Sequence, residues 1–108
     1  MSDFRDLKVG QKAHRVRLRA HEVAETMRGP KFASLKRQLY RAAESIPANI
    51  VESRSHHSSK EAARFLRIAL NSATELEYHL LAARDLRAIS TRDYEGMTES
   101  VIEVRKML

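Results

Sequence analysis

The sequence predicts an all-α protein, an antiparallel up-down four-helix bundle. Composition, the spacing of apolar residues and the signals that start and stop helices all support this fold. Of the 108 residues only three are glycine and two are proline, while alanine, leucine, arginine, glutamate and lysine dominate. Such a composition is typical of helical proteins. The length fits one domain, so we expect residues 1–108 to form a single four-helix-bundle domain.

Helix one is predicted from about Asp6 to Arg28, where Gly29 and Pro30 supply a left-handed cap and a stop. Its apolar residues recur at steps of three and four, which makes one apolar stripe. They are Val9, Ala13, Val16, Ala20, Val23, Ala24 and Met27. His14 and His21 share a face of this helix, and we expect them to lie partly buried or to pack beside the core.

Helix two is predicted from about Lys31 to Arg54, although Pro47 falls in its interior. Proline removes a backbone donor and crowds the carbonyl four residues earlier, here that of Ala43. The apolar positions nonetheless keep helical phase on both sides, so we predict one helix kinked at Pro47. These positions are Phe32, Leu35, Leu39, Ala42, Ile46, Ile50 and Ser53. Asn49 lies among them, and we expect its hydrogen bonds to fix the register between helices.

Two capping boxes predict where the last two helices begin. Ser58–Glu61 opens helix three, which runs from about Ser59 to Arg87, and Ser90–Asp93 opens helix four. Helix three is apolar over so much of its circumference that part of it is expected to face another subunit. Helix four carries an unbroken packing seam and an acidic face. The seam is Tyr94, Met97, Val101, Val104 and Leu108, and the acidic face is Asp93, Glu95, Glu99 and Glu103, which we interpret as solvated.

Motifs argue against an enzyme. The chain has no cysteine, so disulfides and thiolate metal sites are excluded. No glutamate is followed by histidine at the third position, which is the spacing that di-iron bundles need; Glu75 and His79 are four apart. His56 and His57 are adjacent and give only a weak metal signal. Neither a phosphate-binding glycine loop nor a nucleophile elbow is present. We expect no catalytic residue, no metal and no cofactor.

No stretch of the sequence is apolar and long enough to span a membrane, and the N-terminus lacks the apolar segment of a signal peptide. The absence of cysteine suits a reducing compartment. We therefore expect a cytoplasmic protein with no membrane partner.

The positive charge lies in the first half of the chain. The net charge is +6, and residues 1–55 hold 12 Lys and Arg against 6 Asp and Glu, whereas residues 56–108 hold 8 of each. Arg5 and four further cations recur on one stripe of helix one. Such a stripe either binds no ligand, being solvated or paired with acids of another helix or subunit, or it is a surface for polyanions. The candidate phosphate-binding residues are Lys8, Lys12, Arg15, Arg19, Lys36, Arg37 and Arg41.

The most specific pattern of the chain lies between Leu39 and Glu52. Its members are Leu39, Arg41, Ala42, Ser45, Ile46, Pro47, Ala48, Asn49, Ile50 and Glu52. With this pattern, with Phe4–Val9 and with Arg64–Ala69, the chain resembles the four-helix-bundle family encoded by ribosomal-RNA intervening sequences. That family includes the accessory variability determinant of diversity-generating retroelements. The resemblance covers nearly the whole chain, with departures at Gly10 and Ser53, where the family often has tryptophan and glycine.

The resemblance implies a homopentameric ring with a basic surface, and in the retroelement members nucleic acid and a reverse transcriptase as partners. Two hypotheses follow. The first is a non-enzymatic oligomer that binds RNA or an RNA–DNA hybrid through backbone phosphates, as accessory to a reverse transcriptase. The alternative is a protein–protein assembly or adaptor bundle with no physiological nucleic-acid ligand.

Overall fold

The computed structural model describes residues 7–55 and 58–108. These residues form four α-helices and contain no strand, which confirms the all-α prediction. A short 3-10 helix, Pro30–Phe32, precedes the second α-helix. The α-helices are α1 (Lys8–Glu25), α2 (Ala33–Ser53), α3 (Ser59–Asp85) and α4 (Thr91–Met107).

Each helix packs against its neighbours along the chain, and α1 also packs against α4. Lys12, early in α1, pairs with Glu103, late in α4. Glu25, at the end of α1, accepts a hydrogen bond from Tyr40 in the first half of α2. Contacts between the start of one helix and the end of another agree with the predicted up-down arrangement.

The core is built from the stripes that face the bundle axis. Complete burial of a valine, leucine, isoleucine or methionine side chain stabilises the fold by about 1.5–3 kcal/mol. On α4 the predicted seam holds its central residues in the core, and Tyr94 and Leu108 pack against it from the edges. The largest fully buried side chains are Met27, Leu39, Ile46, Ile50, Leu76, Leu80, Met97, Val101 and Val104.

The two predicted helix starts are confirmed. The Ser58 hydroxyl accepts from the backbone N–H of Glu61 at 3.3 Å, and the Ser90 hydroxyl accepts from that of Asp93 at 3.0 Å. An N-cap of this kind is worth about 1 kcal/mol because it satisfies an orphan backbone donor. At its other end α3 stops two residues before Arg87, which adopts a left-handed φ of 59°.

The end of α1 differs from the prediction. The helix ends at Glu25, three residues before Arg28, and the Thr26 hydroxyl donates to the Val23 carbonyl at 2.6 Å. A threonine that binds the carbonyl three residues back competes with the helical pattern. Gly29 has a positive φ of 92° but a ψ of 159°, so it is not a left-handed helix cap and instead leads into the 3-10 helix. The predicted start at Asp6 lies outside the described residues.

Helix α2 runs without interruption through Pro47, as the apolar phase predicted. It begins two residues later than predicted because Pro30–Phe32 forms the 3-10 helix. Pro47 itself is buried. The predicted kink at this residue stays a prediction.

Asn49 belongs to a small polar network between α2 and α3. Its side-chain amide donates to the Ser45 carbonyl at 2.8 Å and to the Ser45 hydroxyl at 3.0 Å. The hydroxyl of Ser72 on α3 donates to the same Ser45 hydroxyl at 2.7 Å. Asn49 therefore acts within its own helix, and Ser45 makes the link across the interface.

Candidate nucleic-acid interface

Three of the predicted phosphate-binding cations line one groove, which we call the α1–α4 groove. Residues four apart in a helix lie about 6 Å apart along its axis and on the same side. Helix α1 places these cations along the edge that packs on α4. The groove, about 270 Å³ in volume, is lined by Lys12, Arg15, Val16 and Arg19 of α1 and by Ser100 and Glu103 of α4.

Helix α4 supplies one acid to this groove. The ammonium of Lys12 pairs with a carboxylate oxygen of Glu103, although both side chains remain partly exposed. The hydrogen bond and charge of Lys12 hold the pKa of Glu103 below its usual value, and Arg15 adds to this effect. Our interpretation of Glu103 as part of a purely solvated face therefore missed its ion pair. The stripe is partly compensated by another helix, as one of the two sequence alternatives proposed.

Arg19 lies close against α4 because residue 96 has no side chain. A Cβ built on Gly96 would collide with the Nη2 atom of Arg19 and lie 3.1 Å from its Cζ. Gly96 therefore leaves space for the guanidinium beside the α4 backbone. A glycine in the interior of a helix costs about 0.5–1 kcal/mol relative to alanine. A glycine inside helix four, Gly96, is therefore a signal in the sequence that could have pointed to this contact.

The cations of α2 lie elsewhere. Lys36 is near Glu25, since its charge contributes to lowering the pKa of that carboxyl. Arg37 and Arg41 are exposed, and at about 100° per residue they point away from the buried Leu39. The seven predicted residues thus do not form one surface. Lys8, Lys12, Arg15 and Arg19 share one side of α1, whereas Lys36, Arg37 and Arg41 belong to α2. Arg5 lies outside the described residues.

The other side of α1 forms a second groove, the α1–α2 groove, which the sequence did not predict. Its volume is about 340 Å³, and its lining residues are Arg17, Leu18, His21, Tyr40, Ala43 and Glu44. His14 and His21 are both exposed, so the expectation of partial burial is wrong, although the His21 ring packs against Tyr40 beside the core. They fall at the edge of the apolar stripe, where the position of α2 decides burial.

Two rings and one carboxylate are organised around the α1–α2 groove. The rings of His21 and Tyr40 have centroids 5.0 Å apart and planes inclined by 30°. The Tyr40 hydroxyl donates to a carboxylate oxygen of Glu25 at 2.5 Å. This hydrogen bond raises the pKa of Tyr40 to about 12 and lowers the pKa of Glu25. Glu25 therefore fixes the orientation of the Tyr40 ring.

Across residues 7–55 and 58–108, no three His, Asp or Glu side chains are grouped so that they could hold a metal ion. None of the helices in that part combines the length and apolarity needed to cross a membrane. His79 is buried, and its Nε2 atom lies 3.2 Å from the Oε1 atom of Glu75, one turn earlier on the same helix. His56 and His57 lie outside the described residues.

Comparison with known proteins finds a family model and a solved structure that are similar to this chain. The family model described as 23S rRNA-intervening sequence protein matches residues 5–108. A crystal structure of a protein with unknown function, from the S23 ribosomal protein family of Bacteroides thetaiotaomicron, is similar with a TM-score of 0.85. The two chains are 26% identical, and the match covers 92% of this chain and 93% of the other. No curated protein matches the sequence. Neither match indicates an enzymatic family.

Proposed function

This chain belongs to the 23S rRNA-intervening sequence protein family, and we propose that it is a non-enzymatic, homopentameric bundle that binds nucleic acid. The observation that supports this most directly is the α1–α4 groove, where Lys12, Arg15 and Arg19 share one solvent-open surface. The rRNA origin of the family favours RNA, or an RNA–DNA hybrid, over duplex DNA. The neutral second half of the sequence argues against uniform attraction over the whole surface.

The spacing of the α1 cations suits a phosphate backbone. Lys8 and Arg19 are separated by about 16 Å along the helix axis at 1.5 Å per residue. A stretch of this length covers a few successive phosphates of one strand, so the four cations of α1 can contact several phosphates at once. Arginine offers a fork of donors that matches phosphate oxygens, and lysine contributes a point charge. Such contacts position the ligand but read no sequence.

Binding through these cations should depend steeply on salt. Four phosphate contacts on single-stranded RNA give a logarithmic slope of about −2.8, so affinity should fall about 50-fold between 50 and 200 mM salt. Mobility-shift titrations with a single-stranded RNA, a duplex RNA and an RNA–DNA hybrid at both concentrations measure this directly. Absence of binding to all three at 50 mM salt contradicts the proposal.

The proposed pentamer rests on the apolar surface and on the family resemblance. Tyr78 of α3 is 64% exposed and Leu86, just after the end of α3, is 60% exposed; the broad apolar surface of this helix predicted a subunit contact. A ring would also repeat the α1–α4 groove around its circumference, which raises avidity for a long strand. Light scattering should give five times the chain mass of 12.4 kDa. A monomer at micromolar concentration contradicts this part.

The same exposed side chains favour the second candidate, a bundle whose partner is another protein. A reverse transcriptase is the protein partner that the resemblance implies. The double substitution Arg15→Glu with Arg19→Glu separates the two functions. If it abolishes the cellular function but leaves nucleic-acid binding unchanged, the adaptor is favoured. A reverse transcriptase gene with a variable repeat beside this one would support the accessory role.

A further inference from the structure

We propose that the α1–α2 groove is a base-binding subsite, in which one unpaired nucleobase stacks on the ring of His21. This inference rests on the proposed function, because it concerns the same nucleic-acid ligand. It adds a preference for single-stranded segments, since a base inside a duplex cannot leave its stack without cost.

The ring of His21 is the stacking surface. Its plane is tilted by 30° from that of Tyr40, with 5.0 Å between the ring centroids, while the His21 side chain remains 66% exposed. The tyrosine therefore takes one side of the imidazole and leaves most of the remainder open to the groove. Bases of single-stranded RNA stack on histidine and tyrosine rings in this manner, with little dependence on sequence because every base has a π-face.

The subsite is organised in advance by Glu25. The Tyr40 hydroxyl is bound to one Glu25 oxygen at 2.5 Å, and the His21 Nε2 lies 3.9 Å from the same oxygen. The Glu25 carboxylate therefore orients the Tyr40 ring by a hydrogen bond and lies beside the His21 ring. A ligand that stacks on a pre-oriented pair loses less conformational entropy than one that must order the side chains itself.

The remaining walls suit a base rather than an aliphatic ligand. Leu18 is 51% exposed and supplies apolar contact. The ion pair of Arg17 and Glu44 at the rim is loose, 3.8 Å long and about half exposed, so both donors and acceptors are available to a base edge. A purely apolar ligand would have to desolvate this pair without replacing its hydrogen bonds.

The α1–α2 groove lies at the same level along α1 as the end of the phosphate track, by which we mean the row of cations Lys8, Lys12, Arg15 and Arg19 on the other side of this helix. His21 follows Arg19 by two residues, about 3 Å along the axis, and the helix between the two grooves is about 10 Å across. A single strand that passes round α1 can place a phosphate on Arg19 and, a few nucleotides further along, a base on His21. A rigid duplex can reach only the phosphate track.

Two exposed histidines on the same helix give a matched test. His14 lies two turns before His21, and His21 lines the groove whereas His14 does not. We would measure binding of a 12-nucleotide oligoadenylate with one 2-aminopurine, and of a 12-base-pair duplex RNA, to the wild type, His21→Ala and His14→Ala. Wild type should quench the 2-aminopurine fluorescence. His21→Ala should lower single-strand affinity about tenfold and change duplex affinity less than twofold, whereas His14→Ala should leave both within twofold.

The aromatic partner gives a second test that does not depend on His21. Tyr40→Phe keeps the ring but loses the hydrogen bond to Glu25, so it should keep the single-strand preference at a modestly lower affinity; Tyr40→Leu should lose the preference while circular dichroism shows the helices retained. If wild type binds both RNAs and His21→Ala behaves as His14→Ala does, this inference is overturned and the proposed function stands. Equal loss for single strand and duplex would make His21 a phosphate contact and also overturn it. No binding of either RNA by wild type removes the proposed function itself.

Discussion

The two grooves beside α1 are similar in size, about 270 and 340 Å³, but opposite in chemistry. The α1–α4 groove brings cations of α1 against one carboxylate, Glu103 of α4. The α1–α2 groove brings an exposed histidine of α1 against Tyr40 of α2. One helix supplies both sides, so the difference comes from what the neighbouring helix presents. The charge pattern of α1 alone therefore does not define an interface.

The largest expected effect is a loss of RNA affinity when cations of α1 are reversed in charge, compared with a smaller loss for cations of α2. Arg15→Glu with Arg19→Glu should weaken RNA binding by at least tenfold at 50 mM salt and reduce the salt slope by about one to two units. Arg37→Glu with Arg41→Glu makes the same change of charge on the outer face of α2, and it should weaken binding less. Mobility-shift titrations at two salt concentrations compare the pairs. Equal losses would mean that net charge, and not the α1–α4 groove, governs binding.

A smaller effect of opposite sign is expected at Glu103. Its carboxylate forms an ion pair with Lys12, so a phosphate must compete with Glu103 for that ammonium group. Glu103→Gln should therefore raise RNA affinity by about three- to fivefold at 50 mM salt, which is the gain of about one phosphate contact. Glu99→Gln removes the same charge from an exposed position of α4 and is the control. If the two variants gain equally, Glu103 does not restrain Lys12.

Gly96 tests how closely Arg19 must approach α4. Gly96→Ala should stabilise the helix by about 0.5–1 kcal/mol, but the new methyl group must displace the Arg19 guanidinium. The displaced group is the end of a flexible side chain, so we expect a net rise in the melting temperature of a few degrees. With Arg19→Ala in the background, the gain should be larger because the clash is absent. Equal gains in thermal melts would show that Arg19 does not contact Gly96.

The smallest effect concerns the α1–α2 groove at high pH. The folded-state pKa of Tyr40 is raised to about 12 from a usual 10 by its hydrogen bond to Glu25. The stability from this bond is therefore complete below pH 10 and is lost as pH rises toward 12. Tyrosinate absorbance should show a late step near pH 12 that is absent in Tyr40→Phe. The same step in the variant would assign it to another tyrosine.

Local signals explain what the sequence could predict. The two capping boxes name residues three apart, so the starts of α3 and α4 need no knowledge of tertiary structure. The seam of α4 and the continuity of α2 through Pro47 follow from periodicity within one helix. The family match over residues 5–108 confirms the resemblance that the motif around Pro47 indicated.

The contacts that define the candidate sites could not be predicted from these local signals. Lys12 and Glu103 are 91 positions apart, and their pairing depends on how α1 and α4 align. The exposure of His21 depends on α2, because its face borders the apolar stripe and becomes a groove wall only where Tyr40 meets it. The early end of α1 coincides with a hydrogen bond from the Thr26 hydroxyl to the Val23 carbonyl, where helix propensity alone favoured continuation.

The hydrogen bonds of Ser45, Asn49 and Ser72 have a consequence for how the bundle can vary. A polar contact between two helices specifies their register more sharply than apolar packing alone. A slide of α3 along α2 by one turn, about 5.4 Å, would separate the Ser72 hydroxyl from the Ser45 hydroxyl. Each polar group left without a partner at the interface would cost about 1–3 kcal/mol. Substitutions at these positions should therefore widen the set of helix alignments before they reduce helix content.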